Sequence, residues 1–337
     1  MRLYIMKQYI HVSDIGAFLQ CRRAWNFSSN LRQHLTTIKP YTPFYLGTVV
    51  HKFLEMRYSY MVNPVQDAIN ELQEQPNHIQ EFIDFGAQLY EQYHLWQQYN
   101  YNDSLHDSKF ISLSTEQPFD VPIYTPFGNP SSKFRFAGRV DGVWRSNFDN
   151  RLYLHEIKTT SSIDSRIGQL QFEMQPTAYM LAMAETYNEP IAGVVYTLIR
   201  KKLPVEPDVL KNGMLSQNKG IDTTPELYIA AVKRQHVGIT NAEIKTQYGD
   251  VLNQLLNQPN KFFRRLLVTR SNAQLDEMRN TLYQVARDMT NPHLSIYPNP
   301  GYFCGNCLFQ TPCIAMSNGQ LIDPILTEHY TRNTRLD

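Results

Sequence analysis

The chain has 337 residues, 42% of them hydrophobic and 19% charged, a balance that fits a globular protein and excludes a disordered one. Its formal net charge is +1, so it is no polycation, and any affinity for nucleic acid must come from a local patch. No apolar run is long enough for a membrane helix or a signal-peptide core, and no GxxxxGK[ST] loop occurs; the expectation is a soluble, cytoplasmic protein with no membrane partner and no built-in ATPase motor.

In chain order, Ser13 has the character of a helix N-cap. The spacing of Ile15, Phe18, Leu19 and Cys21 predicts one helix running to about Phe27. Arg22 and Arg23 follow Cys21 directly. After a loop near Pro40, Pro43 precedes a second helix that places His51 and Glu55 at i and i+4 on one face, with Lys52 beside them. A lone histidine in such a place is usually a half-buried helix residue, yet neutral imidazole also binds Mn²⁺-like ions. Residues 64–99 read as two helices broken near Pro76 and Asn77. The stripe Phe82, Phe85, Leu89, Tyr93 and Trp96 is spaced for core packing on one helical face. Residues 100–108 read as a loop. A strand is expected over 109–115, then a second approach to the sheet containing Glu116 and Pro118.

Residues 134–160, FRFAGRVDGVWRSNFDNRLYLHEIKTT, read as two strands rich in β-branched and aromatic residues around a Ser-Asn-Phe-Asp-Asn turn. Glu156 and Lys158 share one strand face, and Ile157 points the other way. With the hairpin centred between Phe148 and Asp149, Asp141 lies across from Glu156, and directly opposed residues have Cβ atoms about 5 Å apart. Carboxylates that close repel one another unless a cation stands between them. A divalent metal is the obvious candidate, and the lysine beside it points to phosphate chemistry. An ordinary hairpin with its charges in water would also produce D…ExK.

Residues 167–187 read as one long helix holding Gln171, Gln175 and Tyr179, with Pro176 bending it or marking a local start. Residues 191–199 read as a buried strand. Arg200-Lys201-Lys202 opens a basic segment to about Thr224, taken as an insertion; short charge runs of this kind are usually solvated surface. Residues 225–237 and 241–256 look helical, 262–270 a strand and 273–289 a helix. Near the end stands Cys304-x2-Cys307-x5-Cys313; Cys21 is the only other cysteine. Disulfides suit a small secreted protein better than this chain. Zinc and a [4Fe-4S] cluster both take four thiolates, and spacing alone does not separate them.

Taken together, VDG at Asp141 and EIK at Glu156–Lys158 resemble the PD-(D/E)XK nuclease superfamily. The G-T-x-x-H-x-x-L-E pattern around His51 and Gln175-x-x-x-Tyr179 resemble RecB-type nucleases. One cysteine before Arg22 and Arg23 and three near the end bracket these motifs, as in the iron–sulfur subgroup, which includes CRISPR-adaptation nucleases, the AddB nuclease domain and phage exonucleases. The resemblance runs from about residue 13 to 315, and the stretch 200–300 carries no motif of the family.

It implies an α/β protein with a restriction-endonuclease-like core, a mixed central sheet flanked by helices, with helical additions and a C-terminal iron–sulfur region. One nuclease domain would span 1–337: a cysteine-bearing helix at 13–30, a helical part at 45–100, a catalytic core at 109–200, an insertion at 200–260 and a cluster segment at 300–315. It further implies Mg²⁺ or Mn²⁺ held by His51, Asp141, Glu156 and the Ile157 carbonyl. Lys158 would orient or deprotonate a water, with Gln175 and Tyr179 as positioning groups. Cys21, Cys304, Cys307 and Cys313 would hold a [4Fe-4S] cluster, with zinc the alternative. Candidate DNA contacts are Arg22, Arg23, Lys52, Arg200, Lys201 and Lys202. The expected function is a metal-dependent DNA exonuclease acting on ends or single strands in recombination, replication or repair, with a protein partner in recombination. A CRISPR-adaptation nuclease and a silent DNA-binding subunit are the alternatives.

Overall fold

The structure, a computed structural model, describes residues 7–39 and 42–333. Its strands are β1 (Gln8–His11), β2 (Leu35–Thr37), β3 (Phe110–Tyr124), β4 (Pro130–Ser146), β5 (Leu152–Thr160), β6 (Ile191–Arg200), β7 (Phe263–Val268) and β8 (Tyr330–Arg332). Six of them form a mixed sheet in the order β1-β4-β5-β6-β7, with β3 also on β4. The crossover from β5 to β6 is parallel, and the β3–β4, β4–β5 and β6–β7 pairs are antiparallel. β5 and β6 are buried along nearly their whole length, as parallel strands covered on both faces should be.

The helices are α1 (Val12–Gln20), α2 (Arg22–Ser28), α3 (Thr42–Tyr58), α4 (Pro64–Gln73), α5 (Gln80–Tyr99), α6 (Ile163–Leu170), α7 (Met174–Tyr187), α8 (Pro225–Gln235), α9 (Asn241–Leu256), α10 (Asn272–Met289), α11 (Gln310–Ser317) and α12 (Asp323–His329). Side-chain alternation divides the core. Leu152 and Leu154 of β5 pack with Tyr179 and Met183 of α7 and Leu282 of α10 on one face. Tyr153 and Ile157 pack with Val49 and Phe53 of α3 and Leu89, Tyr93 and Trp96 of α5 on the other. None of the described helices is long and apolar enough to cross a membrane.

Three expected elements differ. The single helix from Ser13 to Phe27 is two, because Cys21 is extended (φ −161°) and ends α1 as it opens α2; the cap position before α1 is His11, so Ser13 lies inside it. The two strands expected around Thr115 are one, β3, because pairing with β4 carries the chain through a bulge at Ser112/Ser114 and a left-handed Glu116. The long helix at 167–187 is α6 and α7, separated by Gln171–Glu173, with Pro176 tolerated in the first turn of α7. Within 200–260, Leu215 joins Tyr228, Val232, Ile244 and Tyr248 of α8 and α9 in a small core of its own.

A buried cation ties the two kinds of layer together. Arg265 on β7 donates to Tyr58 of α3 and Tyr93 of α5, each at 2.7 Å, to Asp107 at 2.5 Å, to the Leu105 carbonyl and to Thr197 on β6. Its guanidinium lies over the Trp144 ring. Removing it leaves Asp107 with Arg57 as its one arginine partner and takes the shared donor from the Tyr58, Tyr93 and Thr197 hydroxyls and the Leu105 carbonyl, a loss of about 3 kcal/mol. Arg265→Met is therefore expected to lose that much stability in chemical denaturation, and a loss below about 1 kcal/mol would contradict this role.

Candidate active site

The β4–β5 ladder runs from Arg145↔Leu152 to Gly142↔His155. The next pair in register is Asp141 and Glu156, so the hairpin does centre between Phe148 and Asp149. There the strands splay, and Asp141 takes over where the backbone ladder stops: its Oδ2 accepts the Ile157 N–H at 2.7 Å. On the other side of β4, Thr115↔Gly142 and Gln117↔Val140 set Glu116 abreast of Asp141. Three carboxylates therefore lie side by side on three neighbouring strands. α3 passes against this fork, close enough that a Cβ on Gly47 would meet Thr159 Oγ1 at 3.4 Å. His51, one turn further on, brings its Nδ1 to 3.5 Å from Asp141 Oδ1. His51, Glu116 and Asp141 offer ligand atoms all within 4.8 Å of one another.

The charges are unevenly satisfied. Glu156 is 1% exposed. Its Oε2 accepts from Lys158 Nζ at 2.9 Å, while its Oε1 is buried without a partner. Burial, and then the Asp141 charge, lift its carboxyl to about 7 against the pull of Lys158. Burial would raise Asp141 as well, but His51, Lys158 and the Ile157 N–H hold it well below the usual carboxylate range. Burial would lower His51, yet Asp141 leaves it raised. Burial and the Asp141 and Glu55 charges raise Glu116. Burial likewise works against the Lys158 ammonium, but Glu156 and Asp141 keep it well above the usual lysine range. Lys158 Nζ also donates to Gln175 Oε1 at 3.1 Å, and Gln175 Nε2 donates to Tyr179 at 3.0 Å. The helix spacing Gln-x-x-x-Tyr thus becomes a chain of hydrogen bonds ending on the lysine.

The structure gathers His51, Asp141, Glu156, Lys158, Gln175 and Tyr179 in one place. It also gathers the cysteines: burial first, and the adjacent Cys21, Cys304 and Cys313, push the Cys307 thiol up. The basic side chains have other partners. Lys52 pairs with Glu55 and Glu71. Arg200 and Lys202 share Asp222. Arg22 lies over Phe18 and Tyr297. Arg23 points at Cys313.

Glu116 is the residue that sequence reasoning passed over. Its sign was an acid in mid-strand, and its φ of 46° is a conformation that non-glycine residues adopt at some cost, often at functional sites.

A family model described as the PD-(D/E)XK nuclease superfamily matches residues 10–314. The chain belongs to that superfamily. No curated protein matches it significantly. Among solved structures, it is similar to a candidate exonuclease from Eubacterium rectale, with 10% identity, a TM-score of 0.45, and 89% of this chain and 87% of that chain covered.

Nucleases of this superfamily use divalent metals, and the residues at the fork fit one. Carboxylate and imidazole donors suit Mg²⁺ or Mn²⁺, and the orphaned Glu156 Oε1 is an acceptor with nothing else to meet. Because a ligand must lose its proton to bind metal, Mn²⁺ affinity measured by calorimetry should fall at least tenfold per unit as pH drops below 7, where Glu156 takes up its proton and the raised His51 is protonated as well. An affinity independent of pH between about 5.5 and 8 would contradict the Glu156 assignment. Glu116→Gln keeps the shape and removes the charge; it should weaken Mn²⁺ binding about 10- to 100-fold, and unchanged binding would remove Glu116 from the site.

Proposed function

We propose that this nuclease is a metal-dependent DNA exonuclease of the RecB-like iron–sulfur subgroup, working on DNA ends or single strands in recombination, replication or repair in the cytoplasm. The observation that carries the reading is the fork itself: Asp141, Glu156 and Glu116 abreast, His51 on one side and Lys158 on the other. Asp141, Glu156, His51 and Glu116 would hold the ion, with the Ile157 carbonyl completing the set. A divalent ion bound there supplies Lewis acidity toward the scissile phosphate and a water of lowered pKa.

Lys158, flanked by two carboxylates, keeps its proton, so it holds the attacking water and offsets phosphate charge rather than abstracting a proton. Gln175 fixes the lysine through its amide oxygen, and Tyr179 fixes Gln175. Hydrolysis forms one P–O bond from water and breaks the P–O bond to the sugar, whose oxygen takes up a proton.

The cluster reading rests on the donors around the sulfurs. Cys21 Sγ accepts from the Asn299 N–H and Cys304 Sγ from the Gly301 N–H, each at 3.4 Å. Cys313 Sγ accepts from Arg23 at 3.6 Å. The Phe309 N–H serves Cys307. Four sulfurs with one donor each are arranged as thiolates want, and the buried Arg23 Nε, without an acceptor, adds a cation facing them. The sulfurs join α1–α2 to the chain's end, beside the β2–β8 pair and the stacked rings of Phe27, Phe309 and Tyr330.

End-labelled single- and double-stranded DNA incubated with anaerobically purified protein and Mn²⁺ or Mg²⁺ tests the activity. Wild type should shorten the label only with metal, and Lys158→Ala should bind DNA without cutting it. Cleavage by Lys158→Ala would reject the mechanism. In the same preparation, iron and sulfide near four per chain are expected, and Cys307→Ala should lose both; bound zinc in their place would reject the cluster.

A further inference from the structure

We propose that Phe172 is a stacking platform for the unpaired base next to the reacting phosphate, which makes a single-stranded end the preferred substrate. The inference rests on the nuclease reading and deepens it.

Phe172 is 86% exposed. An exposed phenylalanine alone is ordinary. What distinguishes this one is its mounting. It stands between α6 and α7, in a loop clamped from both ends. Arg270 donates to the Leu170 carbonyl at 3.0 Å, to Gln171 Oε1 at 3.5 Å and to Thr177 Oγ1 at 2.8 Å. On the other flank, Glu173 is ion-paired with Arg166 and accepts from Tyr196 at 3.5 Å. The Phe172 N–H itself is bound to the Gln169 carbonyl. A pinned loop with an aromatic ring left outside is poor packing and a good platform.

Its position is the second point. Gln175 is three positions further on, so the two Cα atoms are at most about 11 Å apart, and Gln175 Oε1 touches Lys158 Nζ at 3.1 Å. The base beside a phosphate held at Lys158 can reach that ring. The exposed Phe148 is different: it lies seven residues along the hairpin from Asp141, about 23 Å at strand rise. The third point is charge. The acids nearest the loop in sequence, Asp164 and Glu173, are each paired with an arginine, Arg264 and Arg166, so these two set no uncompensated charge beside a phosphate backbone there. Stacking on an aromatic ring accepts any base, because every base has a π-face, but it needs that base unpaired.

The test compares wild type, Phe172→Ala and Phe172→Tyr on single-stranded oligonucleotides, with and without one abasic residue stepped along the strand, and on a blunt duplex. Phe172→Ala should raise KM for single strands roughly 5- to 150-fold, the range set by loss of one base–aromatic stack, with kcat nearly unchanged. Phe172→Tyr should restore it. At one abasic position wild type should lose as much, and Phe172→Ala should lose nothing further, a coupling that a merely structural role would not give. An unchanged KM, or losses that multiply at every position, would overturn the proposal. Quenching of 2-aminopurine in single strands, read in Ca²⁺, reports stacking without turnover. Quenching that depends on Phe172 in a protein that never cuts would uphold the platform and reject the nuclease reading.

Discussion

The separation of β4 from β5 one step beyond Gly142↔His155 is the constraint on which the site depends. A continued ladder would use the Ile157 N–H for the backbone. Because the strands splay, that N–H is bound by Asp141 instead, which fixes the carboxylate at the mouth of the fork. β1 then takes up the part of β4 that β5 has left, pairing in parallel from Phe134 to Ala137. The fork gives α3 a place to approach the sheet, and Arg265, through Tyr58 near the end of α3, fixes that helix to β7 and β6. The helix that carries His51 is thus tied to a buried cation on β7 as well as packed against the core through Val49 and Phe53.

Electrostatics at the fork favour a bound cation over a self-sufficient pair. Lys158, His51 and Arg139, which lies 3.6 Å from Glu116, face the three carboxylates, yet Glu156 and Glu116 stay raised and one buried oxygen has no partner. Such a cluster in a structural role would be costly, since a buried charge without compensation destabilises the fold. Its persistence is understandable if the compensation comes from outside the chain.

Much of this was legible from local pattern. The turn residues at Ser146–Asn150 set the hairpin centre, and period-two alternation then placed Asp141 opposite Glu156 and kept Ile157 in the core. The 3.6-residue period put Gln175 and Tyr179 on one face. What escaped depends on contacts between distant segments. An acid in mid-strand is the one local sign of Glu116; its place in the site comes from the β3–β4 register and its left-handed backbone. The break at Cys21 opposes the apolar spacing of its neighbours, and it coincides with the Asn299 N–H on Cys21 Sγ across the whole length of the chain. The cations chosen for DNA were chosen by charge alone, and sequence could not show that Lys52 would meet Glu71 or that Arg200 and Lys202 would share Asp222.

The most direct measurement is anomalous diffraction from crystals grown with Mn²⁺ near pH 8. The account predicts a peak at bonding distance from Asp141 and from the now unpartnered Glu156 Oε1, with His51 or Glu116 also in its shell. Crystals that leave the fork without a peak, while Lys158 stays paired with Glu156, would contradict it.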